Sequence, residues 1–342
     1  MASNPSSGDS KRSTVVDVRI PAHGRPQYLV KAIESVLSQT LTSWRLVVSE
    51  DGDGGGEIEK AVEPYLSDPR VSYVATKEHV GAARNMTSLI SRGSAPYVAL
   101  LHDDDFWNAE YLEHHVGFLE QHPQAGWVFS LVRLVDESGH EIRRLAPVIP
   151  AGIYTSEELV PRLLRTNFVE GIAILVRRDS FEAVGSMFDA QFERIYDWDM
   201  YLRLAARFST GHVHAWEYAW RVHGAQSTVE GRLRGKEKLR FLDHAEAEVR
   251  SALPHLRLSK RLLARTRSRT HLTLAIDALE KNIPREALRE AARALKLYPP
   301  SVFDPQTPLV MIGVVGGRRV RTAIGDLRLA ARRRLLKIHF SK

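Results

Sequence analysis

Short apolar runs alternate with amphipathic stretches along the first 101 residues, and this alternation predicts an α/β fold. Within 26–39, for example, apolar residues recur at the spacing of one helix face. The apolar runs predict β-strands at 15–20, 45–49, 71–74 and 97–101. Strands that alternate with helices in this way form open, mostly parallel sheets with helices on both faces.

The pattern continues with a predicted helix at 111–121 and a predicted strand at 126–135. Beyond residue 135 the strand and helix signals weaken, and after residue 231 the chain becomes helical. The weaker signals predict strands at 168–176 and 216–223, with a helix at 197–208 between them. We expect a disordered start, an α/β domain, a helical subdomain and a basic tail, over residues 1–14, 15–230, 231–300 and 301–342.

Positive charge is concentrated at the end of the chain. The formal net charge is +7, and 311–342 contain nine Lys and Arg residues against one acidic residue. Apolar residues recur at helical spacing between Val320 and Ile338, so we expect a basic amphipathic helix. Such a helix either lies on an anionic membrane or packs against the α/β domain or a second copy, as in a homodimer. Since the rest of the chain is close to neutral, no nucleic-acid partner is expected.

The chain has no cysteine, which excludes disulfides and thiol catalysis. The first 14 residues are polar and lack the apolar run of a signal peptide. No window reaches the ~18 apolar residues that a transmembrane helix needs. These features favour a cytoplasmic protein whose membrane contact, through the tail, would be peripheral and at the inner face.

Three consecutive carboxylates, Asp103, Asp104 and Asp105, follow the predicted strand at 97–101. Like charges so close together are costly unless something positive lies beside them. Carboxylate oxygens favour the hard cations Mg²⁺ and Mn²⁺. A cation at the carboxyl end of a strand is well placed to hold a diphosphate. The alternative is a solvated acidic loop in which Asp105 caps a following helix.

A second acidic pair, Glu50 and Asp51, follows the predicted strand at 45–49. Nucleotides bind at this end of the strands in α/β sheets. A carboxylate here can accept the imide N–H of uracil or the amino and imino hydrogens of guanine. The alternative is an acidic turn. No Lys-Ser or Lys-Thr follows the glycines at 54–56, so the turn is not a P-loop.

Six short blocks resemble, in this order, the motifs of the inverting glycosyltransferases of family 2. They are RIPAHGRP at 19–26, VVSEDG at 47–52, GAARN at 81–85, HDDD at 102–105, YDWDMYLR at 196–203 and WRVHGAQS at 220–227. The resemblance covers residues 15–228. It implies the GT-A fold, a Rossmann-like, mostly parallel sheet flanked by helices, here with a C-terminal helical extension.

The resemblance also implies which residues hold a nucleoside-diphosphate sugar and its metal. The HDDD block lies where the metal-binding D-x-D motif belongs, with His102 in place of its first carboxylate. Asp104 and His223 are the implied ligands of Mn²⁺ or Mg²⁺. The implied donor-binding residues are Pro21, Ala22, His23, Arg25, Glu50, Asp51, Arg84 and Asp103.

Inverting transfer needs one carboxylate to take the proton from the acceptor hydroxyl. By resemblance this base is Asp197, and Asp199 either begins the helix or supports the base without touching substrate. Tyr196 stands where the family often has Glu. The alternative is that both carboxylates simply favour a helix N-terminus.

The sequence therefore predicts a metal-dependent inverting glycosyltransferase. The donor would be a UDP-, GDP- or dTDP-sugar, and the acceptor hydroxyl would belong to a polysaccharide, a glycolipid or a natural product. One alternative is a catalytically idle GT-A homologue that acts as a scaffold or binding protein. The other is a nucleotidyltransferase, which is disfavoured because 21–26 lacks a Gly-rich, lysine-containing pyrophosphate loop.

Overall fold

The computed structural model describes residues 14–52, 56–185, 188–192, 194–224 and 231–336, of which 231–234 and 328–336 are described by their backbone alone. The strands are β1 (Val16–Ala22), β2 (Trp44–Glu50), β3 (Val71–Ala75), β4 (Tyr97–Leu100), β5 (Phe106–Trp107), β6 (Ala125–Val135), β7 (Glu141–Arg144), β8 (Gly152–Tyr154), β9 (Ile174–Arg177) and β10 (Ser209–Arg221). The helices are α1 (Pro26–Leu37), α2 (Glu57–Val62), α3 (Ala82–Ile90), α4 (Tyr111–Gln121), α5 (Ser156–Arg165), α6 (Arg178–Ala183), α7 (Tyr196–Ala205), α8 (Gly231–Ala252), α9 (Lys260–Glu280), α10 (Pro284–Leu297), α11 (Gln306–Val315) and α12 (Arg318–Leu336).

One sheet runs through the molecule in the order β3-β2-β1-β4-β9-β6-β10-β5. The first four strands of this order are parallel, as the alternation of strands and helices predicts. Strand β9 is antiparallel to both β4 and β6, and it joins the parallel half to the β6–β10 pair. Short strands β7 and β8 pair with β6 and β10. The predicted fold class, a mostly parallel α/β sheet with a C-terminal helical extension, is confirmed.

Two predicted strands have different bounds in the structure. The strand predicted at 168–176 is confined to β9, because Gly171 has a left-handed φ of +59° that interrupts the extended chain before it. The strand predicted at 216–223 begins seven residues earlier, at the start of β10. Its first half carries polar residues such as His212, whose Nδ1 lies 2.9 Å from the carbonyl oxygen of Pro150. Polar groups with such partners can be buried, and they conceal the strand in the sequence.

A buried ion network fixes the first strand of the sheet. Asp17 accepts a hydrogen bond from Arg178 at 2.5 Å, and the Arg19 guanidinium lies 3.1 Å from the same carboxylate. Arg19 also donates to the carbonyl of Leu89 at 2.9 Å, which ties β1 to the end of α3. Gly93 passes against this network with φ +121°, and a Cβ there would lie 2.3 Å from Asp17 Oδ2. Only glycine allows this close approach.

The C-terminal helices pack around α9. Helix α9 contacts α5 and α8 on the side of the sheet domain, and α10, α11 and α12 surround its second half. A small apolar core joins these helices, and it includes Leu279, Ala291, Val310 and Ile324. Among the described residues, no helix combines the length and the apolar character that crossing a membrane would require.

Candidate active site

The carboxyl ends of three parallel strands bring the acidic motifs to one edge of the sheet. In the β1–β2 register, Ala22 pairs with Glu50, and in the β1–β4 register Arg19 pairs with Leu100. The chain segments that follow β1, β2 and β4 therefore leave the sheet side by side. This edge is where ligands bind in open α/β sheets.

Arg25 holds the two carboxylates after β4. Its Nη2 lies 2.6 Å from Asp103 Oδ1, and its Nη1 lies 2.5 Å from Asp104 Oδ2. The backbone N–H of His23 donates to Asp103 Oδ2 at 2.9 Å. Asp103 is buried, and Asp104 is nearly so. The guanidinium thus supplies the positive charge that these buried carboxylates require.

His223 lies beside Asp104, as the sequence predicts. Its Nε2 is 3.0 Å from Asp104 Oδ2, and its ring lies 5.0 Å from the ring of Tyr28. His223 follows the end of β10 by two residues. A carboxylate oxygen and an imidazole nitrogen at this separation form a donor set that suits Mn²⁺ or Mg²⁺.

Asp105 anchors the acidic loop to β10. Its carboxylate accepts hydrogen bonds from Tyr218 Oη at 2.6 Å and from the backbone N–H of Arg221 at 2.9 Å. Arg221 Nε donates to the carbonyl oxygen of Asp104 at 2.8 Å. The alternative interpretation of Asp105 as a helix cap is wrong, because its carboxylate is fully buried and strand β5 follows it.

Burial and neighbouring charges shift the pKa values of the two carboxylates held by Arg25 in opposite directions. Burial raises the pKa of Asp103 to about 6, against the opposing charge of Arg25. Burial also acts to raise the pKa of Asp104, but the hydrogen bond from His223 and the charge of Arg25 outweigh it and lower that pKa. Asp104 is therefore the more readily ionised of the pair, which suits a metal ligand.

His102 adds a possible donor atom that the resemblance does not assign. Its Nδ1 lies 3.5 Å from Asp105 Oδ2, and its buried Nε2 has no hydrogen-bond partner among the described residues. One ligand atom each from His102, Asp104 and Asp105 lies within 4.8 Å of the others. An unpartnered buried nitrogen beside two carboxylates fits a cation better than a purely structural role.

Glu50 and Asp51, the two acidic residues at the end of β2, differ in whether they can still accept a hydrogen bond from a ligand. Asp51 accepts the backbone N–H groups of Val80 at 2.8 Å and Gly81 at 3.0 Å, so its carboxylate fixes the loop before α3. Glu50 accepts from the Tyr73 hydroxyl, while its other oxygen, Oε1, is buried without a partner among the described residues. Glu50 is therefore the better acceptor for a ligand N–H.

The remaining predicted donor-binding residues border this edge. Pro21 and Ala22 end β1, and Ala22 is buried. The His23 Nδ1 lies 3.0 Å from the carbonyl oxygen of Asp51. Arg84 is exposed in the first turn of α3 and makes no hydrogen bond to any residue in the described ranges. A free guanidinium at this position is available for an anionic ligand.

The first turn of α7 faces the same site. Burial, with the negative charges of Asp197 and Asp104 nearby, raises the pKa of Tyr196 far above its usual value. Asp197 is partly buried, and its Oδ1 accepts the backbone N–H of Trp198 at 2.7 Å. Since the charge of Asp104 reaches Tyr196, the first turn of α7, which also carries Asp197, lies near the acidic loop.

Asp199 points into the protein instead. It is fully buried, accepts a hydrogen bond from Arg203 Nε at 2.8 Å and lies 3.4 Å from His244 Nε2. These contacts tie α7 to α8. The arrangement favours a structural ion pair over direct support of the chemistry.

The fold is that of the GT-A class. Residues 17–185 match the family described as Glycosyl transferase family 2, which places this part of the chain in that family.

The comparisons include proteins of several kinds. Chondroitin synthase of Escherichia coli is 25% identical over 225 residues, which are 64% of this chain and 31% of that protein. The chain therefore corresponds to only part of that relative. The structure of S. aureus TarS 1–349 in complex with UDP-GlcNAc matches with a TM-score of 0.64 at 12% identity, over 96% of this chain and 93% of that one.

A second solved structure extends the likeness to a metal-bound complex. The mannosyltransferase PcManGT from Pyrobaculum calidifontis, in complex with GDP-Man and Mn²⁺, matches with a TM-score of 0.55 at 15% identity. The match covers 93% of this chain and 88% of that chain. At such identities the likeness shows the fold, which is that of GT-A glycosyltransferases.

Proposed function

We propose that this protein transfers a sugar from a nucleoside-diphosphate sugar to an acceptor hydroxyl, with a divalent metal and with inversion at the anomeric carbon. One observation carries the proposal: Arg25, Asp103, Asp104 and His223 meet at the carboxyl edge of the sheet, on the side that α7 faces. The solved relatives with UDP-GlcNAc and with GDP-Man and Mn²⁺ support a donor of this class.

Each end of the donor has candidate partners. Asp104 and His223, with His102 close by, would hold Mn²⁺ or Mg²⁺. The cation would neutralise the negative charge of the leaving diphosphate. Arg84 is exposed and free to bind a phosphate oxygen, and the unpartnered Oε1 of Glu50 can accept an N–H of the base. Together these groups would orient the anomeric carbon towards α7.

Asp197 would act as the base in a single displacement. The acceptor oxygen forms a bond to the anomeric carbon while the bond from that carbon to the diphosphate oxygen breaks. The acceptor proton passes to the Asp197 carboxylate, and the nucleoside diphosphate leaves with the electron pair. One displacement at the carbon inverts its configuration, so no sugar is attached to the enzyme at any stage.

Slow hydrolysis of a panel of UDP-, GDP- and dTDP-sugars, with Mn²⁺ and with EDTA, tests this function. We expect one donor to be cleaved with metal only, and Asp197→Asn to slow this cleavage at least ~100-fold. Asp326→Asn is the matched control, because Asp326 is an exposed carboxylate in α12. Failure of every donor to bind and react would favour an idle homologue over an enzyme.

We further propose that the C-terminal helices lie on an anionic membrane. Apolar side chains are unusually exposed here: Phe303 is 88%, Val315 83% and Ile312 54% accessible. The arginines that begin α12 follow directly in the sequence. Apolar side chains beside a run of arginines suit the boundary between anionic headgroups and acyl chains. A peripheral contact of this kind would bring the site close to a lipid-linked acceptor.

A further inference from the structure

A large basic cavity lies between the sheet domain and the C-terminal helices. Its volume is 1060 Å³, and its walls come from the end of α5, from α8 and from the first half of α9. One acidic residue, Glu170, lines it. Six basic residues also line it: Arg165, Lys238, Arg257, Arg261, Arg265 and Arg269. None of these belongs to the donor site described above.

Most of this positive charge has no internal compensation. Arg269 pairs with Asp304 at 3.3 Å, and Arg261 reaches only the hydroxyl of Tyr298, at 3.4 Å. Arg165, Arg257 and Arg265 are exposed and form no ion pair with any residue in the described ranges. Like charges gathered around one cavity repel one another, so the fold gains no stability from them. A bound anion would supply the missing charge.

The spacing of the cations indicates an extended ligand. Arg261, Arg265 and Arg269 follow one another at four-residue intervals, so they lie along one face of α9. Consecutive members are ~6 Å apart along the helix axis. A single phosphate would engage one or two of them, whereas a chain with regularly repeated anions would engage them all.

Two tryptophans line this cavity, and each belongs to an element that also carries a residue of the site. Trp198 lies in α7, the helix of the proposed base Asp197, and Lys238 Nζ lies 4.8 Å from the Trp198 ring. Trp220 lies in β10, the strand whose Arg221 binds the Asp104 carbonyl. Trp220 is partly exposed, and its amphipathic ring can pack against the face of a sugar.

We propose that this cavity binds the acceptor, and that the acceptor is a polyanionic glycan whose repeat carries a carboxylate or a phosphodiester. The assignment as acceptor rests on the proposed glycosyl transfer. The binding of a polyanionic glycan does not, because the cavity and its charges are independent of the donor site. A chain seated along α9 would reach Trp198, which lies in the same helix as Asp197.

Binding of labelled hexamers without donor tests this inference directly. The probes are oligogalacturonate for carboxylates, oligo(glycerol phosphate) for phosphodiesters and neutral maltohexaose. We expect one anionic hexamer to bind at least about tenfold more tightly than maltohexaose, and its affinity to fall as salt rises. Equal affinity for maltohexaose, or binding that is insensitive to salt, would overturn the proposal.

A triple variant locates the binding in the cavity. R165A/R257A/R265A should weaken binding of the anionic hexamer about tenfold or more, since it removes three unpaired cations. The matched control is R45A/R285A/R289A, which removes three exposed arginines outside the cavity and should change binding less than about twofold. Unchanged binding in the cavity variant would overturn the proposal, and so would an equal loss in the control.

Donor hydrolysis and vesicle binding separate the other outcomes. The cavity variant should keep the metal-dependent donor hydrolysis of the native chain. If the native chain binds an anionic hexamer but cleaves no donor, glycosyl transfer fails while the polyanion site stands. If the native chain cleaves a donor but binds neither anionic hexamer, the polyanion site is overturned while glycosyl transfer stands. If the cavity variant instead loses binding to phosphatidylglycerol vesicles, and neither hexamer binds, the cavity binds lipid and the proposal is overturned.

Discussion

The side chain of Arg25 compensates the charge of two buried carboxylates that come from one loop. It lies 2.6 Å from Asp103 and 2.5 Å from Asp104, so it occupies the side of both residues that a cation would approach. Binding of a metal at Asp104 would free part of this guanidinium for the donor diphosphate. The same residue can therefore stabilise the free protein and bind the substrate.

The pKa of Asp103 makes stability depend on pH. Burial raises this pKa to about 6 in the folded protein, so the folded state holds a proton that the unfolded state has already lost. Stability from this group is present below the unfolded pKa and is lost as the pH rises through about 6. Between pH 4.5 and 7, Asp103 should lower the free energy of unfolding by about 2 kcal/mol.

Asp103→Asn removes this titration. Urea unfolding at pH 4.5 and pH 7 should show that the variant lacks the roughly 2 kcal/mol loss attributable to Asp103 in the native chain. An identical pH dependence in both proteins would show that Asp103 does not titrate in this range.

Asp197 and Asp199 lie two residues apart but should respond differently to substitution. Asp199→Asn should destabilise the protein by about 3–5 kcal/mol, because it removes the carboxylate charge that lies 2.8 Å from the buried guanidinium of Arg203. Asp197→Asn should change stability by less than about 1 kcal/mol while it abolishes transfer. Measuring the free energy of unfolding and the transferase activity of both variants tests these two roles. A stable, inactive Asp199→Asn would reverse the two roles.

At the scale of elements, the sequence predicts the parallel half of the sheet and β6 well, and β9 and β10 poorly. Strand β4 is an apolar run buried on both faces, and β1 and β2 carry apolar residues at every second position, so the sequence shows these strands directly. Strand β10 is partly polar, and one polar atom each of Glu217 and His212 bonds to a residue far away in sequence. Such contacts are set by tertiary packing and leave no periodic signal.

The same contrast holds for the site. The motif residues after β1, β2 and β4 could be placed on one edge from topology alone. The link between Arg25 and Asp103, and the anchoring of Asp105 by Tyr218, join segments 78 and 113 residues apart. No local pattern predicts such pairs. The role of Asp199 was equally hidden, because its partner His244 belongs to α8.

Gly93, in the turn after α3, is predicted to be required both for its positive φ and for its close approach to Asp17 and Arg19. Gly93→Ala should destabilise the protein by about 2–4 kcal/mol, because φ is +121° and the new Cβ would meet the Asp17–Arg19 network. Gly117→Ala is the matched control: it lies within α4, and its Cβ would meet no atom within 4 Å. That control should stabilise the helix by up to about 1 kcal/mol. Equal effects of the two substitutions in thermal unfolding would contradict this account of the turn.

At the scale of the whole molecule, the exposed apolar residues beside α12 predict membrane binding. The chain should co-sediment with phosphatidylglycerol vesicles and much less with phosphatidylcholine vesicles. Phe303→Ser/Val315→Ser should reduce this pelleting, whereas Val148→Ser, an exposed valine in the sheet domain, should not.

Sedimentation velocity distinguishes a second copy of the chain as the partner of this surface. If the double variant pellets like the native chain but converts a dimer to a monomer, a second copy covers these residues. In that case the membrane proposal is wrong.

The account as a whole depends on donor binding at the acidic edge of the sheet. Titration calorimetry of UDP, GDP and dTDP with Mn²⁺ and with EDTA, on the native chain, Asp104→Asn and Asp326→Asn, tests this most directly. We predict that one nucleotide binds with Mn²⁺ only, and that Asp104→Asn weakens this binding about 10- to 100-fold while Asp326→Asn does not. Binding of the nucleotide by Asp104→Asn with native affinity and native dependence on Mn²⁺ would contradict it.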